Sequence, residues 1–486
     1  MSTSVFESTM FLAILPEICL VILGILVMIF DLAWGRQRGR NLGWMVAGGL
    51  VFIIVLSLFV AQPGEGSEAL WGGMIRYDQL GFFFKMLFLA AAAITALFVM
   101  DQKALGGRCE FYLLMLAATL GMTLMASAGD LVMLYLAIET TSIPLYVLAG
   151  FLIRDDKSTE SGFKYFLFGA LASTVMLYGF SLLYGFSGTT DLYSLADLIL
   201  GGSVPLVAVA ASLILVLVGF GFKISAVPFH FWAPDTYEGA PTPVAGFLST
   251  ASKAAGFVVL VRVFTVVFPP SSIDWTMVIA VISVLTMTLG NALALAQKNI
   301  KRLLAYSSIA HAGYVLIGVS AATELGTTGV VYYLLAYLVT NLAAFGIVVA
   351  VSHVTGSDEL SSYAGLSRRS PWLALAMLVA MLSLAGMPPF GGFIAKVFVF
   401  AAAVQADMVW LAVIGVLNSI IGLFYYLTVL KVVYLYRSPE EEEKKPLPVS
   451  SPYAIALTLL SFGIILLGTY FGPWYEWSMA IASGMH

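Results

Sequence analysis

Glu139, Lys223, Lys253 and Lys396 lie inside long apolar stretches of the chain, and Lys164 lies nearer the edge of another. A charge at mid-bilayer costs about 2.5–3.5 kcal/mol on insertion scales, so side chains in such places have a task or a partner. A buried amine loses hydration, which brings its charged and neutral forms closer in free energy and lets it load and release a proton. A nearby carboxylate then becomes a switchable partner. Glu139 moving toward or away from Lys223 would tune how tightly that amine holds its proton. Lys223 stands just before Pro228, and Lys396 stands just after Pro388 and Pro389. Proline removes a backbone donor and frees carbonyls that a water-lined cavity can satisfy. Residues of these types, so placed, suggest ions or protons crossing a membrane. A static alternative stays open, in which each lysine is permanently charged against a carboxylate or free carbonyls and Glu139 only ties helices together.

The remaining ionisable residues sort by depth. His311, in AYSSIAHAGY, is of the type that titrates near neutrality and could relay a proton between two halves of the chain; a hydrogen-bonded structural histidine is the alternative. His230, beyond Pro228, is a second relay candidate. Lys85 and Lys431 fall within a turn or two of a span end and are expected to snorkel to the interface. Pro16-Glu17 is expected at an interfacial or subunit contact, and Glu440–Lys445 in a solvated loop.

Composition sets the class of protein that must position these groups. The 486 residues are 60% hydrophobic and 10% charged, against about 25% charged in soluble chains. The expectation is an all-α polytopic membrane protein, 1–486 forming one integral membrane domain. The net charge of −4 carries little meaning, because the run Glu440 to Glu443 supplies much of it. A cleavable signal peptide is not expected, since no Lys or Arg precedes the first apolar run. Cys19 and Cys109 are isolated, and His230, His311, His353 and His486 show no metal-ligand pairing, so iron–sulfur, disulfide and metal sites are not expected in this chain. No phosphate-cradling glycine loop, Ser/His/Asp arrangement or nucleic-acid patch is present.

Apolar windows of membrane-spanning length predict fourteen spans, near 10–34, 42–62, 79–100, 111–128, 130–150, 162–186, 205–233, 241–266, 274–296, 302–321, 327–352, 372–404, 408–436 and 452–474. Odd-numbered loops hold Arg36, Arg38, Arg40, Lys103, Arg108, Arg154, Lys157, Lys298, Lys301, Arg302, Arg368, Arg369, Arg437, Lys444 and Lys445; even-numbered loops hold Arg76 and Arg262. By the positive-inside rule the odd loops face the cytoplasm and both termini the outer side.

Spans 4–8 (110–267) and 9–13 (273–437) then form two five-helix units of opposite orientation, flanked by an N-terminal three-span segment (1–105) and a C-terminal span (451–486). Each unit carries its broken helix in fourth place. Broken helices at matching positions of an inverted repeat point to a transport site.

At these residues the chain resembles the antiporter-like, proton-pumping subunits of respiratory complex I. Glu139 in span five, Lys223 and Lys253 in spans seven and eight, and Lys396 in span twelve match that pattern. VPFHFWAPDTYEGAPTPV and NIKRLLAYSSIAHAGY are specific to the group. SGFKYFLFGA around Lys164, the PLYVLAGF phrase after Glu139, and lysine in span twelve set the chain with the N-type branch of bacterial NADH-quinone oxidoreductase. The resemblance implies a translocase subunit of the inner membrane with no redox chemistry of its own. NADH, FMN, iron–sulfur clusters and quinone would belong to partner subunits, and other antiporter-like and small membrane subunits would surround it in the bilayer. Quinone reduction elsewhere would drive protons along Glu139, Lys223, Lys253 and Lys396, with Lys164 as a further proton-translocation candidate for which snorkelling at the cytoplasmic edge is the alternative. The rival readings are a subunit of a multi-subunit cation/proton antiporter and a purely structural membrane subunit.

Overall fold

The computed structural model describes residues 8–34, 39–64, 66–437, 447 and 449–484. Arg36, Arg38, the Glu440–Lys445 run and His486 lie outside the described residues. The chain runs as α1 (Ser8–Ala13), α2 (Leu15–Trp34), α3 (Gly39–Val60), α4 (Gln79–Val99), α5 (Cys109–Ser127), α6 (Leu131–Ala149), α7 (Asp156–Ser187), α8 (Leu192–Leu200), α9 (Leu206–Ile224), α10 (Trp232–Gly239), α11 (Thr242–Phe247), a π segment (Leu248–Ser252), α12 (Lys253–Val266), α13 (Thr276–Ala294), α14 (Ile300–Ser320), α15 (Glu324–Thr355), α16 (Leu366–Arg369), α17 (Pro371–Ala385), α18 (Gly391–Gln405), α19 (Val409–Leu435), α20 (Ser451–Thr469) and α21 (Gly472–Ser483). Between α3 and α4 a hairpin pairs β1 (Glu68–Leu70) with β2 (Ile75–Tyr77) antiparallel.

Polar caps start many of these helices. Asp78, Asp130, Asp155, Asp191, Asn299 and Thr323 precede α4, α6, α7, α8, α14 and α15, and each accepts from backbone N–H groups that the first turn leaves free. Thirteen helices among the described residues are long and apolar enough to cross a membrane, α11 to α12 counting as one, and the two shorter apolar helices α17 and α18 fall within the expected span at 372–404. Thirteen of the fourteen expected spans are matched by such helices, and the fourteenth by this broken pair. Those at 162–186 and 327–352 prove longer, at 32 residues each, because the caps lie outside the apolar windows. The hairpin, the outlying α8 and the short α21 were not expected; they are too short or too polar to register as spans.

The two breaks share one geometry. Ser225 closes α9 at φ 60° and Gly386 closes α17 at φ 83°. The Ser225 and Ala226 N–H groups bond back to Phe222 O (3.0 Å) and Gly221 O (2.8 Å). The Gly386 and Met387 N–H groups do the same to Ser383 O (3.0 Å) and Leu382 O (3.0 Å). This paired closure satisfies the carbonyls a helix end exposes. Cis prolyl bonds follow at Val227–Pro228 and Pro388–Pro389. Matching breaks in fourth place of α5–α12 and of α13–α19 agree with the internal repeat.

Burial is uneven. The helix from Thr242 to Val266 is buried along its whole length, with α4, α14 and α15 nearly so, whereas α2, α3, α7, α13 and α19 present apolar side chains outward. Lys253 therefore sits on the central helix of the molecule, at the end of the π segment. Such segments recur where a helix must re-aim a functional side chain.

Candidate functional site

Three buried lysines are each held by a serine hydroxyl. Lys223, in the last turn of α9, donates from Nζ to Ser142 Oγ on α6 (2.9 Å). Lys253 donates to Ser308 Oγ on α14 (2.7 Å). Lys396 donates to Ser419 Oγ on α19 (2.8 Å) and to the Leu384 and Ala385 carbonyls (3.2 and 2.9 Å). Those two carbonyls are freed by the break after α17, as the proline placement implied. Each serine hydroxyl donates to a backbone carbonyl: Ile138 O, Ala305 O and Ala385 O. Its lone pair is left facing the lysine. A hydroxyl so oriented accepts from an ammonium or from a neutral amine alike, whereas a carboxylate would pin the charge.

Helix periodicity arranges the rest of the row. On α14, Ser307, Ser308, His311 and Tyr314 recur at helical spacing and share one face. Ser308 touches Lys253. His311 meets the Tyr333 hydroxyl through Nδ1 (2.7 Å) and the Tyr426 hydroxyl through Nε2 (3.1 Å). Tyr426 in turn meets Ser307 Oγ (2.5 Å). The Tyr314 ring lies 4.8 Å from Lys396 Nζ, and its hydroxyl accepts from Asn291 Nδ2 (3.0 Å). His311 thus stands between the residues that hold Lys253 and those that face Lys396. A cavity of about 340 Å³, lined by Gly386, Met387, Phe393, Phe400 and Ser419, opens onto Lys396.

Glu139 is half-buried on α6 and accepts from Ser173 Oγ on α7. It lies one turn before Ser142, so Glu139 and Lys223 meet through α6 and not through a direct ion pair. His230 is buried against Phe231, and its Nδ1 has no hydrogen-bond partner among the described residues. The break that carries it is tied to the second repeat, where Val227 N–H donates to Thr286 Oγ1 (3.0 Å).

Lys164 is not brought to this row. It pairs with Asp235 (2.7 Å) and Glu160 (2.6 Å) in a cluster at the face carrying the basic loops. Asp235 also binds Arg302 (2.7 Å), Arg302 binds Glu238 (3.0 Å), and Glu238 binds Lys157 (3.1 Å).

Three expectations are corrected. Lys85 does not snorkel: α1 and α2 pack over it, and it is buried against Glu17 (3.0 Å) and the Ala13 carbonyl (2.7 Å). Glu17 is accordingly an internal partner and not an interfacial contact. Arg262 is no loop residue. It lies within α12, buried, and binds both carboxylate oxygens of Asp78 (2.6 and 3.0 Å) and the Ala126 carbonyl (2.8 Å). Lys431 is exposed, as expected of a snorkelling side chain, with its Nζ 5.5 Å from the Tyr436 ring.

Sequence reasoning missed the serines, the tyrosines around His311, and Asp235 with Arg302. Spacing held a signal: Ser142 follows Glu139 by three residues and Ser308 precedes His311 by three. Among the described residues no group of three His, Cys, Asp or Glu is placed to hold a metal.

The family described as NADH:quinone oxidoreductase/Mrp antiporter, TM, matches residues 128–422. A relative from Trichlorobacter lovleyi, NADH-quinone oxidoreductase subunit N, is 43% identical over 469 residues, covering 95% of each chain. A chain of respiratory complex I from Thermus thermophilus superposes with a TM-score of 0.80 at 34% identity, covering 95% of this chain and 98% of its own. A chain of the Mrp complex from Dietzia shares the fold, with a TM-score of 0.84 at 24% identity over 99% and 98%. The hydroxyl-held lysines therefore sit in a chain that belongs to the subunit N family of NADH-quinone oxidoreductases.

Proposed function

We propose that this chain translocates protons as a membrane subunit of NADH-quinone oxidoreductase, through Glu139, Lys223, Lys253, His311 and Lys396, with His230 as a further relay. One observation carries the reading: Lys223, Lys253 and Lys396 are each held by a serine and none by a carboxylate. The two five-helix units, 110–267 and 273–437, supply the two halves of the path. Their basic loops face the cytoplasm and both termini the outer side of a bacterial inner membrane, in line with the charge asymmetry of the loops.

In this reading a proton taken up from the cytoplasm loads one amine, and the flanking hydroxyls and His311 pass protons along the row. A change of charge at Glu139 alters the proton affinity of Lys223 through α6. Against 100 mV one elementary charge costs about 2.3 kcal/mol, a load that modest shifts in proton affinity can meet. The driving redox chemistry, with NADH, FMN, iron–sulfur clusters and quinone, belongs to partner subunits.

The test uses membrane vesicles bearing Lys223→Ala, with assembly followed on native gels. Quinone reduction by NADH and proton uptake should fall together in an assembled complex. Wild-type values for both would leave the buried charges structural. Proton movement that continues with no electron donor would favour the antiporter reading.

A further inference from the structure

Resting on the reading above, a second group of charges acquires a role. Asp235 and Glu238 are three residues apart on α10 and so project from one face. Each bridges the two repeats. Asp235 binds Lys164 of α7 (2.7 Å) and Arg302 of α14 (2.7 Å); Glu238 binds Lys157 of α7 (3.1 Å) and the same Arg302 (3.0 Å). Backbone contacts tighten the grip. Ser161 Oγ donates to Thr236 O (3.0 Å), and Lys301 Nζ donates to Ala240 O (2.9 Å). At Gly239 a Cβ would overlap the Lys157 carbonyl, so only glycine permits so close an approach of α10 to α7.

The other side of α10 touches the proton row. The Tyr237 ring, fully buried, lies 5.8 Å from Lys253 Nζ. The Trp232 indole stacks on Tyr165 at 4.4 Å and donates from Nε1 to Phe222 O (3.0 Å), the carbonyl that precedes Lys223. A helix of 8 residues thus links a surface cluster of ion pairs to Lys223 and Lys253.

We propose that Asp235 is a positioning residue: by bridging Lys164 and Arg302 it seats α10 so that Tyr237 stays against Lys253. Lys164 then serves as a fixed positive charge in this clasp and not as a carrier of transported protons. The clasp makes the placement of Lys253 depend on both repeats at once, since α7 belongs to one and α14 to the other.

The test uses vesicles containing the whole complex with Asp235→Asn, Arg302→Gln or both, reading proton uptake per assembled complex. Displacing a group in a positioned site costs large factors in rate, so each single change is expected to lower uptake by about threefold or more. The double variant should lose no more than either single one, because partners in one network are not additive. Asp235→Glu should restore most of the loss. A merely structural role predicts less assembled complex with wild-type uptake per complex; that result, or additive losses in the double variant, overturns the inference. If Asp235→Asn does not assemble, Lys164→Gln reads the same clasp: the same loss with recovery in Lys164→Arg supports it, and wild-type uptake in Lys164→Gln overturns it. Lys253→Ala separates the two readings. Wild-type uptake there sinks the proposed proton path itself, whereas its loss beside normal Asp235→Asn sinks the clasp alone.

Discussion

Two sets of basic residues in this molecule are held differently. In the central row, Lys223, Lys253 and Lys396 rest on Ser142, Ser308 and Ser419. Elsewhere Lys85, Lys164, Arg262 and Arg302 rest on the carboxylates of Glu17, Asp235, Asp78 and again Asp235. Depth does not separate the groups, because Lys85 and Arg262 are as buried as Lys253. The partner separates them. A carboxylate cancels the charge it faces and resists its loss, whereas a hydroxyl bonds both protonation states. In the proposed function, fixed charge stands where helices must be joined and changeable charge along one path.

The largest way to break this comparison is to delete an amine from the row. Lys253→Ala should lower coupled proton uptake about 100-fold in assembled complex, the scale of a lost proton-transfer group; vesicle uptake assays check it. Next comes a fixed pair. Lys85→Met leaves Glu17 buried and unpaired, which should destabilise by about 3–5 kcal/mol, while Glu17→Leu with Lys85→Met should regain most of that. Thermal unfolding of the purified complex reads the difference, and an equal loss in single and double variants would count against the pair. A smaller effect is expected at Tyr426, whose hydroxyl joins His311 to Ser307. Tyr426→Phe removes both of these hydrogen bonds, about 1 kcal/mol each, with at least a severalfold drop in uptake. At the bottom stands Lys431, exposed at the rim, where Lys431→Gln should stay within about 0.5 kcal/mol of wild type.

The legible part of this site was its charge. Glu139, the three deep lysines and the prolines announce themselves because a charge or a helix break inside an apolar run is costly. The fourteen spans and the place of both breaks followed from the same reading. The serines were not legible. A serine in a membrane helix usually bonds its own preceding turn, as Ser142 does to Ile138 O, and nothing local says which helix will bring a lysine to its free lone pair. Lys85 misled for a related reason: distance along α4 suggested an interface, but α1 and α2 fold over it. Arg262 was counted with the outer loop although the expected span at 241–266 already enclosed it, and its partner Asp78 lies far away in the sequence, across the packing of α12. Partners distant in sequence were invisible for the same cause throughout.

The comparison reduces to one substitution at one position. Lys253→Arg keeps a positive charge on the central helix but holds its proton at any physiological pH. Proton uptake per assembled complex, measured in vesicles energised with NADH, should fall about tenfold or more if Lys253 must release a proton to work. Uptake at the wild-type rate would mean that Lys253 is a fixed charge like Lys85, and that the hydroxyl row is not a proton path.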